Sequence, residues 1–288
     1  MTARLIDGKK IALEIRNQIA IEVKEVVAKG IVPGLAAVLV GDHPASQVYV
    51  RNKRKSAREA GMHSELHELD KNASLEEVLK LVDFLNRDSK IHGILVQLPL
   101  PKHLDEKKII NAISPEKDVD GLHPLNAGKL MMGEAGFVPC TPLGVMKLLE
   151  YMKIEIKGAN AVVLGRSHLV GKPVALMLLQ KDATVSICHS KTKDLAEIIK
   201  KADIVVAAVG KALMVTEEMI KAGAAVIDVG INRLPDGKLV GDVDFEKVSK
   251  KAGFITPVPG GVGPMTIAML LSNTLVSAQN ALKREIMS

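Results

Sequence analysis

The feature that most restricts how this chain can fold is a repeated alternation. Short aliphatic runs poor in charge, such as LAAVLV (Leu35 to Val40), the run from Ile91 to Leu98, NAVVLG, DIVVAAVG and AAVIDVG, are separated by longer segments whose apolar residues recur every three or four positions. A strand covered on both faces reads as a continuous aliphatic run, whereas a strand with one wet face alternates. Such runs, interleaved with amphipathic helices, specify parallel sheets flanked by helices, so the predicted fold class is α/β with two α/β domains.

The first cycle begins with a helix predicted from Asp7 to Lys29, in which Ile11, Ile15, Ile19, Val23, Val26 and Val27 repeat at helical spacing and Gly30 ends the element. After the strand at Leu35 to Val40 comes a helix for which Ser46, just past Pro44, is the expected N-cap. His63 to Leu69 is a second strand. Ser74 and Glu77 make a capping-box pattern for a helix through LEEVLKLVDFLNR. Leu104 to Ile113 is another helix, and SPEKDVDGLHPLN is a loop rich in turn formers. PCTP (Pro139 to Pro142) marks an element boundary before a helix at Leu143 to Met152. A second cycle follows, with helices expected near Val170 to Gln180, Thr192 to Lys201 and Glu217 to Ala222. A long helix, Ile267 to Lys283, closes the chain after the second unit is complete and is expected to pack back on the first. At roughly 150 residues per domain, 288 residues fit two domains. The boundary near 140 gives residues 1–140 plus 265–288, and residues 141–264.

The core must be aliphatic, because the chain has no Trp, two Tyr and four Phe. A formal net charge of +6 suits anionic small molecules or nucleic acid. The cations are spread along the chain with few aromatics among them, so base stacking, and with it a nucleic-acid partner, is not expected. No run approaches the ~18 apolar residues of a membrane span, and MTARLIDGKK has no apolar secretory core, so neither a membrane nor export is expected. Cys140 and Cys188 do not make a disulfide framework, and free thiols fit a cytoplasmic chain. Neither HExxH spacing nor a GxSxG elbow occurs, so metal and serine-hydrolase mechanisms lack support.

Several stretches carry candidate chemistry. Tyr49 and Lys53 lie four apart in SQVYVRNKRKSAREA and share a helix face. At the mouth of a strand–loop–helix unit they are a candidate catalytic pair, or else part of a solvated basic helix with one tyrosine turned to the core. Gln97 is a buried amide in need of partners, at a strand end where ligand sites lie, although a neighbouring loop could supply them. Asp118 and Asp120 in KDVDG fit turn formers. LGRSHLVGKP follows a strand and opens a helix. It is not a P-loop, since five residues separate Gly165 from Gly171 and Pro173 follows Lys172. It matches GxGxxG imperfectly, with Ser167 in the place of the second glycine. The context still fits a tight turn at Gly165 and a pyrophosphate at a helix N-terminus, the alternative being an ordinary strand–helix turn. The end of the next strand, ICHSKTK, holds no acid for a ribose 2′-hydroxyl. Its hydroxyls and cations, with Arg166, suit a 2′-phosphate, so NADP is expected over NAD. The second domain is therefore expected to be a Rossmann-like doubly wound parallel sheet. VPGGVGPMT could admit a ligand close to its backbone or form a plain tight turn.

VGDHPASQVYVRNKRKSAREAGM, GILVQLPLP, PEKDVDGLHPLNAGKL, FVPCTPLGVM, VVLGRSHLVGKPVA, CHSKT, VIDVGIN and TPVPGGVGPMT appear in the order found in the methylenetetrahydrofolate dehydrogenase/cyclohydrolase family, which the chain resembles over essentially its whole length. The resemblance implies two reactions in one cleft: hydride transfer from 5,10-methylenetetrahydrofolate to NADP, and hydrolysis of the resulting methenyl cation to 10-formyltetrahydrofolate. It implies that Lys53 is the catalytic lysine, Tyr49 its pterin-contacting partner, Gln97 the glutamine that bonds the lysine, and Asp120, not Asp118, the aspartate that holds the pterin. Gly165, Arg166, Ser167, Ser190 and Ile231 fall where the family binds NADP, and Thr141 lies near the nicotinamide end. Pro259, Gly263 and Thr266 line the folate site. The implied partners are tetrahydrofolate derivatives and a second copy of the chain, as a homodimer through the nucleotide domains. Residues 1–140 plus 265–288 become the folate-binding catalytic domain and 141–264 the NADP-binding one. Two other readings stand beside this one: an NADP-dependent dehydrogenase of another small substrate, and a non-catalytic basic binding protein.

Overall fold

The structure is a computed structural model that describes residues 2–287. Met1 and Ser288, the outermost residues of the expected 1–140 plus 265–288 unit, lie outside the described residues. Two compact units are formed, each discontinuous in sequence: Glu14–Val138 with Ile267–Ser288, and Met1–Leu13 with Pro139–Thr266.

In chain order, β1 (Arg4–Leu5) precedes α1 (Gly8–Val27), followed by β2 (Gly34–Val40), α2 (Pro44–Glu59), β3 (His63–Leu69), α3 (Leu75–Arg87), β4 (Gly93–Val96), α4 (Glu106–Ala112) and α5 (Pro124–Met132). Then come α6 (Cys140–Tyr151), β5 (Asn160–Leu164), α7 (Gly171–Leu179), β6 (Thr184–Cys188), α8 (Leu195–Ile199), β7 (Ile204–Ala207) and a 3₁₀ turn at Glu217–Met219. The chain ends through β8 (Ala225–Asp228), the pair β9 (Asn232–Arg233) and β10 (Leu239–Val240), α9 (Phe245–Val248), β11 (Phe254–Ile255) and α10 (Val262–Met287).

The Glu14–Val138 unit holds a three-stranded parallel sheet in the order β3-β2-β4. Central β2 is buried along its whole length, as its unbroken aliphatic run requires. The capping box of α3 forms as read: Ser74 Oγ accepts the Glu77 N–H, and the Glu77 carboxylate accepts the Ser74 N–H. Residues 117–119 run beside β4, where the Ile94 N–H donates to Lys117 O. The last helix does return to this unit: Asn273 Nδ2 donates to Val119 O, and Ser277 Oγ to Glu116 O.

The other unit is a six-stranded sheet, β1-β11-β8-β7-β5-β6, with every ladder parallel. Its core packs Val162, Leu164, Val205, Val226 and Ile255. The sequence places residues 1–13 with the first unit, but the structure adds them here. β1 is an edge strand on β11, tied by the Arg4 N–H to Gly253 O and the Ile6 N–H to Ile255 O. A two-residue strand has no periodicity to read, and its partner is some 250 residues away in sequence.

Other differences have local causes. Ser46 does not cap α2. The helix starts at Pro44 with His43 flanking it, and Ser46 is buried within the first turn, because proline's fixed φ favours the first helical position. The loop SPEKDVDGLHPLN gives way at its end to α5, which has Pro124 in its first turn, the Leu125 N–H bonded to His123 Nδ1, and Gly133 left-handed at its end. α6 begins at Cys140 rather than Leu143, and α8 is shorter than the expected Thr192 to Lys201 because Asp194 turns left-handed at φ 50°. Among the described residues no helix is long and apolar enough to cross a membrane.

Candidate active site

Strands of a parallel sheet deliver their following loops to one edge. In the first unit this brings the start of α2, after β2, to the same edge as Gln97, which follows β4. Along α2 the buried face runs through Val50, Lys53, Ala57 and Ala60, at helical spacing. Lys53 thus occupies a position where an apolar residue would be ordinary, and it is only 7% exposed. Arg51, Lys55 and Arg58 face outward and Arg54 is half-buried, a largely solvated face.

Lys53 Nζ donates to Gln97 Oε1 at 3.1 Å. Gln97 is held by its own N–H, bonded to Val38 O at 2.9 Å, and by Nε2, which donates to Leu98 O at 2.6 Å. Because Nε2 is committed to a carbonyl, Oε1 must face the lysine. The bond occupies one of the ammonium's three donors. Tyr49 stands one turn earlier on α2 and is 47% exposed.

The two aspartates of KDVDG differ. The Asp118 carboxylate is buried and accepts the Leu122 N–H at 3.0 Å, the His123 N–H at 2.8 Å and Asn126 Nδ2 at 2.8 Å. Burial pushes its pKa up, against the pull of these donors. Its work is to fold the turn into α5. Asp120, two residues on, is half-buried and is not engaged in that network. Lys53 and Gln97 are therefore brought into contact, and Asp120 is placed beyond the segment that flanks β4 without bonding to either.

A cavity of about 1050 Å³ lies at the opposite edge of the same sheet, by the N-terminal ends of the strands, and includes Lys90, His92, Lys117 and Arg284. Burial, chiefly, with the nearby charges of Lys117 and Arg284, pushes His92 down. Arg87 there is bridged to Asp83 at 2.7 Å, Lys117 Nζ donates to the carbonyls of Leu85 and Asp88, and Glu116 is on the rim. We place the candidate chemistry at the Lys53 edge, where a buried cation meets a neutral partner.

In the other unit, Gly165 follows β5 at φ 114°, and a Cβ there would lie 2.2 Å from Ala208 O. A Cβ on Gly171 would lie 2.2 Å from Gly165 O. Only glycines allow this tight strand-to-helix turn. Ser167 Oγ accepts the Val170 N–H at 3.1 Å and the Gly171 N–H at 3.4 Å, closing the turn over the start of α7. Arg166, Ser167 and Ser190 are exposed at this edge. After β6 the turn is held by the His189 N–H to Thr192 Oγ1 and the Lys191 N–H to His189 Nδ1, so hydroxyls and cations stand where an acid would bind a 2′-hydroxyl. This cradle fits a phosphorylated dinucleotide.

Two further pairs come together. Thr141 Oγ1 lies 3.0 Å from Thr266 Oγ1, and a Cβ on Gly263 would sit 3.9 Å from Ile231 Cδ1. Ile231 is 52% exposed, and Pro259 and Gly263 are exposed as well. Sequence reasoning passed over Asp228 and Asp242, which are buried beside Ile231. Their pairing with glycine in DVG and GD was the available signal. Among the described residues no group of three or more His, Cys, Asp or Glu could hold a metal ion.

The family model of the tetrahydrofolate dehydrogenase/cyclohydrolase catalytic domain matches residues 6–120, and that of its NAD(P)-binding domain matches residues 139–282. A bifunctional protein FolD from Moorella thermoacetica is 61% identical over 279 residues, covering 97% of this chain and 100% of the relative. The crystal structure of the bifunctional methylenetetrahydrofolate dehydrogenase/cyclohydrolase FolD from Campylobacter jejuni superposes with a TM-score of 0.95 at 52% identity, over 96% of this chain and 99% of that one. The Trypanosoma brucei dehydrogenase–cyclohydrolase, solved with NADP cofactor and an inhibitor, gives a TM-score of 0.93 at 43% identity over 100% of both chains.

Proposed function

The chain belongs to the tetrahydrofolate dehydrogenase/cyclohydrolase family, and on that premise we propose that it oxidises 5,10-methylenetetrahydrofolate with NADP and hydrolyses the methenyl product to 10-formyltetrahydrofolate. The observation that carries this reading is the buried Lys53 bonded to Gln97 at the C-terminal edge of a parallel sheet. A dehydrogenase of another small substrate would explain the nucleotide cradle but not that pair.

Gly165, Arg166, Ser167, Ser190 and Ile231 would hold NADP, with Thr141 near its nicotinamide end, and the cofactor would supply the hydride acceptor. On the folate side, Tyr49 offers an exposed ring for the pterin, Asp120 a carboxylate for its ring nitrogens, and Pro259, Gly263 and Thr266 a wall. Hydride transfer depends mainly on positioning. The hydrolysis needs a proton removed from water as it adds to the methenyl carbon. Neutral Lys53 Nζ takes that proton, and Gln97 Oε1 aims it; a general base of this kind is typically worth ~10²- to 10⁴-fold. The adduct then opens: its hydroxyl proton is lost as the C=O forms, the C–N5 bond breaks, and the protonated Lys53 returns its proton to N5. Of the binding residues, Tyr49, Lys53, Gln97 and Asp120 lie in the Glu14–Val138 unit, and the NADP residues with Pro259, Gly263 and Thr266 in the Pro139–Thr266 unit. The working form is a homodimer in the cytoplasm.

Mixing the protein with NADP and methylenetetrahydrofolate tests the assignment. The methenyl absorbance band should appear and then decay, and NAD at equal concentration should support at least ~10-fold less turnover, the worth of one charge-assisted contact to a 2′-phosphate. Absence of the methenyl band would discard the reading, and equal rates with NAD would discard the NADP preference.

A further inference from the structure

Two acids in the nucleotide unit are buried more completely than Lys53. Asp228 is 3% and Asp242 0% exposed. Asp228 ends β8. Its own N–H donates to Thr256 Oγ1 at 2.7 Å, and its carboxylate accepts the N–H groups of Gly230, Asp242 and Val243, each at 2.9 Å. Asp242 in turn accepts the N–H groups of Val209 at 2.7 Å, Gly210 at 3.0 Å and Lys211 at 2.9 Å, and the Asn232 amide at 2.9 Å. The two acids form a relay. Asp228 fixes the backbone that carries Asp242, and Asp242 fixes the loop after β7.

The arrangement is costly. Two neighbouring carboxylates are taken out of water, which penalises both charges. It also demands glycine at two places: a Cβ on Gly241 would sit 1.8 Å from Asp228 Oδ2, and one on Gly230 would sit 2.3 Å from the Asp242 carboxyl. The strands do not need this, since β7, β8 and β11 pair through their own ladders. What the acids hold is loop backbone at the C-terminal ends of the strands, the edge where a doubly wound sheet binds nucleotides. Gly230 is bonded to Asp228 and Asn232 to Asp242, so Ile231, an exposed apolar side chain beside Gly263, is pinned from both sides. The loop at 209–211 continues from Ala208, whose carbonyl packs against Gly165.

We propose that Asp228 and Asp242 are positioning residues for the cofactor, clamping the Gly230–Asn232 turn and the 209–211 loop so that Ile231 and the nucleotide-facing backbone are preset before NADP arrives. Ordering those loops in advance removes an entropy cost from binding. The inference rests on the assignment of NADP to this unit.

Calorimetric titration of NADP into the full-length chain tests it, alongside the KM for methylenetetrahydrofolate at saturating NADP. Asp242→Asn places an amide N–H₂ against backbone N–H donors and should weaken NADP binding by at least ~10-fold, with the folate KM changed by less than about threefold. Asn232→Ala keeps the buried carboxylate and its three backbone donors, so it tests the clamp even if Asp242→Asn fails to fold, and should weaken NADP by about three- to tenfold. Wild-type affinity in Asn232→Ala, or NADP affinity and folate KM worsening by one common factor in either variant, would overturn the proposal. A wild-type chain that binds no NADP would remove the underlying assignment and the proposal together.

Discussion

Lys53 and Asp242 are both charged, both buried, and both at the C-terminal edge of a parallel sheet, yet they are held in opposite ways. Lys53 meets a single neutral amide oxygen, whereas Asp242 receives four donors. A charge with all its hydrogen-bonding capacity used is a structural fixture, because moving it would strand buried N–H groups. A buried charge with one neutral partner keeps donors free for a substrate. KDVDG repeats the contrast within three residues: Asp118 is tied into a turn, and Asp120 stands outside that network.

The comparison can be broken most directly at Lys53. Lys53→Met keeps the length of the side chain and removes the base. Cyclohydrolase activity should fall by ~10²- to 10⁴-fold, part of the dehydrogenase should persist, and the thermal midpoint should hold. A fall of less than about tenfold in methenyl hydrolysis in this variant would remove Lys53 from its role. Asp118→Ala should behave in the opposite manner. It strands three buried donors, so urea denaturation should register a loss of roughly 3–5 kcal/mol while the folded enzyme keeps its kcat. A loss below ~1 kcal/mol would show that saturation by donors is not what makes an acid structural here.

Asp228 sharpens the comparison through pH. Burial, above all, together with the charge of Asp242, pushes its carboxyl from an ordinary 3.8 to about 6, although three N–H donors pull the other way. Between those values the folded chain binds more protons than the unfolded one, so stability falls as pH rises through the window, by about 3 kcal/mol from this group. Asparagine does not titrate. The stability difference between wild type and Asp228→Asn should therefore shrink by about that amount between pH 4 and 7 in urea titrations. Parallel pH curves for the two proteins would contradict the shift.

Much of this was legible before any coordinates. The capping box at Ser74 and Glu77 and the turn at Gly165 are encoded within a few residues of themselves. Lys53 was less so: the residues alone left a solvated basic helix open, and only the family resemblance paired it with Gln97, the contact the structure contains. Illegible were β1 on β11, α5 beyond a turn-rich loop, and the Asp228–Asp242 relay. In each case the partner lies far away in sequence or is a backbone N–H, which carries no letter of its own.

The sequence by itself determined the two α/β cycles, the aliphatic core and the residue types at both binding edges, because strand and helix periods are local and the hydrophobic effect acts on them wherever they fall. Only the tertiary structure decided which charged residues are spent on holding the fold and which remain free for chemistry. That depends on how many donors and acceptors the rest of the chain brings to each buried charge, a count set by the packing of distant segments.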